Sequence, residues 1–157
     1  MKNLIIIAVI AYSFSVIGCS SSTEPEPEPL DFSNMEIHYR MFPDIQLAYY
    51  KVDIYNSGYV SVNHYLADST LDSGNTIITE EDQGFLSEKF KSFNKYDREY
   101  DSGYKDTDEH LIELIYAGIA DTVFVNLPYK NSVPQELKNI IKYMEALIDQ
   151  LIDYPKK

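Results

Sequence analysis

Residues 96–110 read YDREYDSGYKDTDEH, with six carboxylates, three tyrosines and one histidine in fifteen positions. Such a stretch suits three kinds of chemistry: holding a hard cation, acid–base catalysis by paired carboxylates, or none at all. Calcium takes six to eight oxygen ligands, and alternating acids can supply them. An EF-hand loop asks for D-x-[DN]-x-[DN]-G with a Glu at its twelfth position. Counted from Asp97, the acids Asp97, Glu99 and Asp101 alternate as required, but glycine arrives one place late at Gly103 and the twelfth residue is Asp108. The stretch is therefore no EF-hand, and an irregular calcium site would use Asp101, Asp106 and Asp108. Acid–base work needs two carboxylates whose surroundings push their pKa values apart, and a stretch this polar promises little burial. The favoured reading is a polar helix-to-strand connection whose tyrosines pack on the domain edge, with no metal or cofactor required.

No other stretch carries a catalytic signature. His38 falls on the polar parity of its segment, whereas His64 and His110 share apolar parity and read as edge or core residues. The three histidines and single cysteine form no H-x-x-x-H, H-E-x-x-H or C-x-x-C pairing, so zinc has no support. There is no G-x-S-x-G elbow and no phosphate-binding glycine loop. The expectation is a chain with no catalytic residues.

The better candidate is a face. Residues 47–66, LAYYKVDIYNSGYVSVNHYL, read as a hairpin. A two-residue loop would mix the faces. A three-residue loop Asn56-Ser57-Gly58, with Gly58 left-handed, sets Ile54 opposite Val60, Val52 opposite Val62 and Tyr50 opposite His64, so the apolar residues share one side as a half-buried sheet requires. The other side then carries Tyr49, Lys51, Asp53 and Tyr55 facing Tyr65, Asn63, Ser61 and Tyr59. Tyrosine offers large, rigid contact area with a polar tip, so Tyr49, Lys51, Asp53, Tyr55, Tyr59, Asn63 and Tyr65 form a candidate surface for a protein or glycan. Tyrosine is also a good strand former, and an ordinary open sheet face has the same composition.

The elements around it follow from periodicity. Met35–Phe42 alternates and reads as a strand. Residues 75–78 read as a short strand. Thr79 followed by Glu80, Glu81 and Asp82 starts a helix, with a hydroxyl cap and acids in the first turn, and Leu86, Phe90 and Phe93 follow at helical spacing. Residues 110–118 and 122–127 read as a second hairpin. A last helix begins near Ser132-Val-Pro-Gln135, with the proline in its first turn, carries Leu137, Ile141, Met144, Ile148 and Leu151 on one stripe, and stops near Tyr154-Pro155. The order, βββ(β)-α-ββ-α, indicates an α+β domain: an antiparallel sheet of about five to six strands with two helices packed on one face.

The N-terminus sets location. Lys2 precedes an apolar run from Leu4 to Tyr12, the layout of a secretory signal peptide, and the run is shorter than the roughly 20 residues a membrane span needs. Val16-Ile17-Gly18-Cys19 resembles the bacterial lipobox. The resemblance implies cleavage before Cys19, a diacylglyceryl thioether on its sulfur and an acylated amine, and two or three acyl chains make a stable anchor. Cys19 is the sole cysteine, so no internal disulfide is available. The chain divides into a signal peptide (1–18), a lipidated and acidic Ser/Glu/Pro linker (19–32) and one domain (33–157). The linker, SSSTEPEPEPLD, is dominated by Ser, Glu and Pro, reads as having nothing apolar available to pack, and is expected to act as an extended, self-repelling spacer.

With Lys2 removed the formal charge moves from −12 to −13, and without the linker acids the domain stands near −9. Such a surface repels phosphate backbones, which excludes nucleic acid as a natural partner. The lipobox, the acidic linker, the IY-x-x-G-x-V hairpin at Ile54–Val60, the Phe-rich helix, the Tyr/Asp loop and the final amphipathic helix together resemble small bacterial envelope lipoproteins grouped as domains of unknown function. That resemblance implies an exported protein anchored in the outer membrane, periplasmic or surface-facing, and carries no activity with it. The function expected is non-enzymatic binding. The alternatives are an inhibitor or immunity lipoprotein acting on a cationic protein, and an enzyme acting on cell-wall or glycan substrates.

Overall fold

The computed structural model describes residues 25–43, 48–67, 69–101, 108–126 and 133–152. The signal peptide and lipobox, residue Asp106 of the calcium set, and Tyr154-Pro155 lie outside the described residues.

The domain is α+β, with seven strands and two α-helices: β1 (Met35–Phe42), β2 (Ala48–Ile54), β3 (Tyr59–Leu66), β4 (Ser69–Ile77), α1 (Glu80–Phe90), β5 (Glu99–Tyr100), β6 (Glu109–Tyr116), β7 (Ile119–Asn126) and α2 (Gln135–Leu151). The strands form one sheet in the order β4-β3-β2-β1-β6-β7-β5. All pairings are antiparallel except β5 with β7.

Alternation decides which way the sheet faces. In β1, Met35, Ile37, Tyr39 and Met41 are buried while Glu36, His38 and Arg40 are not. Their cross-strand partners repeat the parity: Ile37 faces Ile54 and Leu114, and Tyr39 faces Val52 and Ile112. These residues join Leu86 and Phe90 of α1 and Leu137, Ile140, Ile141, Met144 and Ile148 of α2 in one core. α2 lies against β2, β3 and β4, and α1 packs on α2. The opposite parity points away from this core.

The β2–β3 loop has the register that parity demands. Ile54 pairs with Val60, Gly58 N–H donates to Tyr55 O at 2.8 Å, and Gly58 takes φ 79°, where a Cβ is disfavoured. α1 opens on a capping box: Asp82 N–H donates to Thr79 Oγ1 and Thr79 N–H donates to Asp82 Oδ2. α2 has no side-chain cap, and Pro134 stands just before the helix rather than in its first turn.

Three expectations change. The sheet has seven strands, not five to six, because the segment expected at 75–78 extends back to Ser69 and a two-residue β5 joins the far edge. β4 is an edge strand and its side chains are mostly exposed, so no apolar alternation marks it. The packed domain also begins before residue 33. Leu30 and Phe32, assigned to the linker, pack on the core, and Leu30 N–H donates to Ser87 O at 3.2 Å. The last stretch of the linker is thus docked on α1, with Lys91 Nζ donating to Glu26 Oε1 at 2.6 Å.

Gly74 explains how α2 seats on β4. A Cβ at this position would stand 2.4 Å from Leu151 O and 2.9 Å from Leu151 Cβ. Only glycine lets the helix end approach this close.

Candidate functional site

The outward parity of β2 and β3, continued to Tyr55 just past β2, collects the seven residues of the candidate face. Tyr49 pairs with Tyr65, Lys51 with Asn63 and Asp53 with Ser61. Tyr55 and Tyr59 close the hairpin end, with Tyr55 N–H donating to Tyr59 O at 2.9 Å. All seven therefore share a surface, but they split into three environments.

At one end, aromatic rings stack across strands. Tyr49 and Tyr65 lie 4.7 Å apart at 15°, and Phe42 of β1 adds a ring 5.6 Å from Tyr49. These tyrosines turn their faces on one another, as cross-strand aromatic pairs do, so Tyr49 and Tyr65 offer edges and hydroxyls rather than an open ring platform.

In the middle sits a charged network. Asp53 is 4% exposed although it lies on the outward face. A carboxylate this far from water needs partners. Its Oδ1 lies 2.6 Å from His38 Nδ1 and its Oδ2 accepts from Lys51 Nζ at 2.8 Å. His38 in turn faces Glu113 across β1–β6. Arg40, exposed, stands directly opposite Lys51. Asn63 Nδ2 donates to Ser61 Oγ at 3.0 Å.

At the hairpin end the face is open and apolar. Tyr55 and Tyr59 have ring centroids 6.0 Å apart and remain 37% and 40% exposed. Ile77 of β4 pairs with Tyr59 and is 73% exposed. Exposed large side chains gathered beside charged ones are the composition of an interaction surface.

His38, Arg40, Phe42 and Ile77 belong to this surface and were not among the residues singled out from sequence. His38 and Arg40 were legible as outward residues of β1. Their place beside Asp53 and Lys51 required knowing that β1 is the neighbour of β2.

Two further clusters lie off this face. His110 is fully buried and its Nδ1 lies 2.6 Å from Tyr39 Oη, while its Nε2 has no hydrogen-bond partner. Burial pushes its pKa down to about 4, against a smaller upward pull from Asp108. His110 is thus a core residue. Met41, Asp108, Glu145, Ile148 and Asp149 line a cleft of about 200 Å³. Burial, then the charges of Asp108 and Asp149, hold the Glu145 carboxyl above its ordinary range, and Lys142 opposes them.

Within the acidic stretch, Asp101 accepts from Asn126 Nδ2 at 3.3 Å. Tyr100 is buried and its hydroxyl accepts from Asp97 N–H at 3.1 Å. Tyr96 is half-buried, and burial, with the nearby Glu136, pushes its pKa up to about 12. Among the described residues no group of three or more His, Cys, Asp or Glu side chains is arranged to hold a metal ion.

No protein-family model matches the chain, and comparison with curated proteins gives no match.

Proposed function

We propose that the protein is a bacterial envelope lipoprotein, anchored through lipid on Cys19, whose α+β domain is a non-enzymatic binding module for a protein partner. The observation that carries the binding half is the hairpin end of the outward face. Tyr55, Tyr59 and Ile77 are exposed together, beside the His38–Asp53–Lys51 network. Tyrosine anchors of this kind concentrate binding energy at protein interfaces because they add contact area at little entropic cost. A protein suits this surface better than a glycan, since the stacked Tyr49–Tyr65 pair leaves little flat ring on which sugars could lie.

The test is site-specific photo-crosslinking in cells, with p-benzoylphenylalanine at Tyr59 and, as a control, at Lys142 on the exposed side of α2. The expected result is one discrete adduct from position 59, lost when Tyr55→Ala is added, and none from position 142. No adduct at 59, or the same ladder from both positions, would refute the reading.

A further inference from the structure

We propose that the end of the molecule formed by the C-terminus of α1 and the β6–β7 hairpin lies against the lipid bilayer. The inference rests on the lipidation of Cys19 proposed above.

The first argument is the length of the tether and where it ends. Read as a free spacer from Cys19 to Phe32, the linker would span up to about 45 Å. The structure instead holds its last part on α1, through Leu30 on Ser87 and through Glu26, which shares Lys91 with Glu88. Counted from Cys19 to Glu26, seven steps of chain reach at most about 25 Å. A tether this short keeps the surface around Lys91 at high effective concentration beside the membrane.

The second argument is what lies around Lys91. It borders a cleft of about 340 Å³ whose walls include Leu30, Phe90, Leu114, Tyr116 and Ile119. Ile119 is 75% exposed, the highest value among the large hydrophobic side chains of the described residues. It directly follows the hairpin turn at Ala117-Gly118, both of which take positive φ. An apolar side chain on a narrow turn is the shape that enters the headgroup region, where burial of apolar area drives shallow binding. Among the described residues no helix is long and apolar enough to cross a membrane.

The third argument is charge. Lys89, Lys91, Lys95 and Arg98 are four of the chain's 13 basic residues and fall within ten positions. Lys91 answers Glu26 and Glu88, and Arg98 pairs with Asp121. On a chain of formal charge −12, Lys91 and Arg98 beside the cleft reduce the repulsion from an anionic lipid surface.

The test uses the full lipidated protein in vesicles of phosphatidylethanolamine and phosphatidylglycerol that carry headgroup nitroxide quenchers. An environment-sensitive fluorophore is placed on Ile119→Cys or, as a control, on Leu71→Cys in β4. Lipid occupies Cys19, so each variant has one free thiol. Quenching at position 119 is expected to exceed that at 71 several-fold, and to fall when Glu26→Lys removes the Lys91 contact and lengthens the tether back to Leu30, without touching the core. Equal quenching at the two positions, or no change with Glu26→Lys, overturns the inference. The intact mass of the same samples separates the two failures. Lipid present with equal quenching defeats only the orientation, whereas lipid absent defeats the anchor as well.

Discussion

Acidification should destabilise this domain through His110 before most of its carboxylates are protonated. His110 is buried against Tyr39 and its pKa is pushed from 6.5 to about 4 in the folded chain. The folded state therefore favours the neutral ring, and the unfolded state takes up the proton first. The stability this group contributes is complete above about pH 6.5 and is lost as pH falls toward 4. The depression corresponds to about 3 kcal/mol, a large share of the roughly 5–15 kcal/mol that holds a typical domain together. Near pH 5 the slope from this one residue approaches about 1.4 kcal/mol per pH unit. Glu145 works the other way. Its carboxyl titrates above its ordinary range, so its native-state penalty is relieved as pH falls. The His110 contribution must therefore be read by difference, from urea unfolding of residues 19–157 carrying Cys19→Ser at pH 7, 6, 5 and 4, with and without His110→Gln. The variant is expected to start lower, because a cavity replaces part of the ring, and then to lose about 3 kcal/mol less than the parent between pH 7 and 4. Equal losses in the two proteins, or a directly observed His110 titration near 6.5, would refute the argument.

Three other outcomes follow from single contacts. Gly74→Ala brings a methyl group onto Leu151 of α2 and should cost about 2 kcal/mol or more, since the obstacle includes backbone; an unchanged urea midpoint would show that α2 does not seat there. Thr79→Ala removes half of the capping box on α1 and should cost about 1 kcal/mol, read as a fall of several degrees in Tm. Glu145→Gln removes a carboxylate disfavoured by burial and by the charges of Asp108 and Asp149 and should raise stability at pH 7, with the gain shrinking under acid; a loss at pH 7 would contradict the assigned penalty.

Much of the fold was legible because parity and capping are local. β1 matches its expected bounds at both ends, since eight alternating residues and a following proline leave little choice. The β2–β3 loop was settled by asking which register keeps Val52, Ile54, Val60 and Val62 on one side. β4 was hidden because an edge strand is held by backbone pairing and its side chains, largely in water, need no pattern. β5 is two residues long and parallel to a strand more than twenty positions away, beyond any local signal. The same limit covers the site. Tyr49, Tyr55, Tyr59 and Tyr65 could be placed on one surface from the hairpin alone. The burial of Asp53 under His38 and Lys51 depends on a third strand, and the His110–Tyr39 contact joins residues 71 positions apart. Leu30 and Phe32 escaped notice because they follow a run of Glu and Pro, where composition outweighed two apolar side chains.

The claim on which both proposals depend is that Cys19 anchors the chain. The most direct measurement is the intact mass of the protein extracted from the membranes of cells that make it. The expected mass is that of a chain beginning at Cys19, increased by a diacylglyceryl group and an N-acyl chain, with Cys19→Ser protein recovered unlipidated. A mass equal to the unmodified chain, or to a chain cut elsewhere and bearing no lipid, would contradict the account.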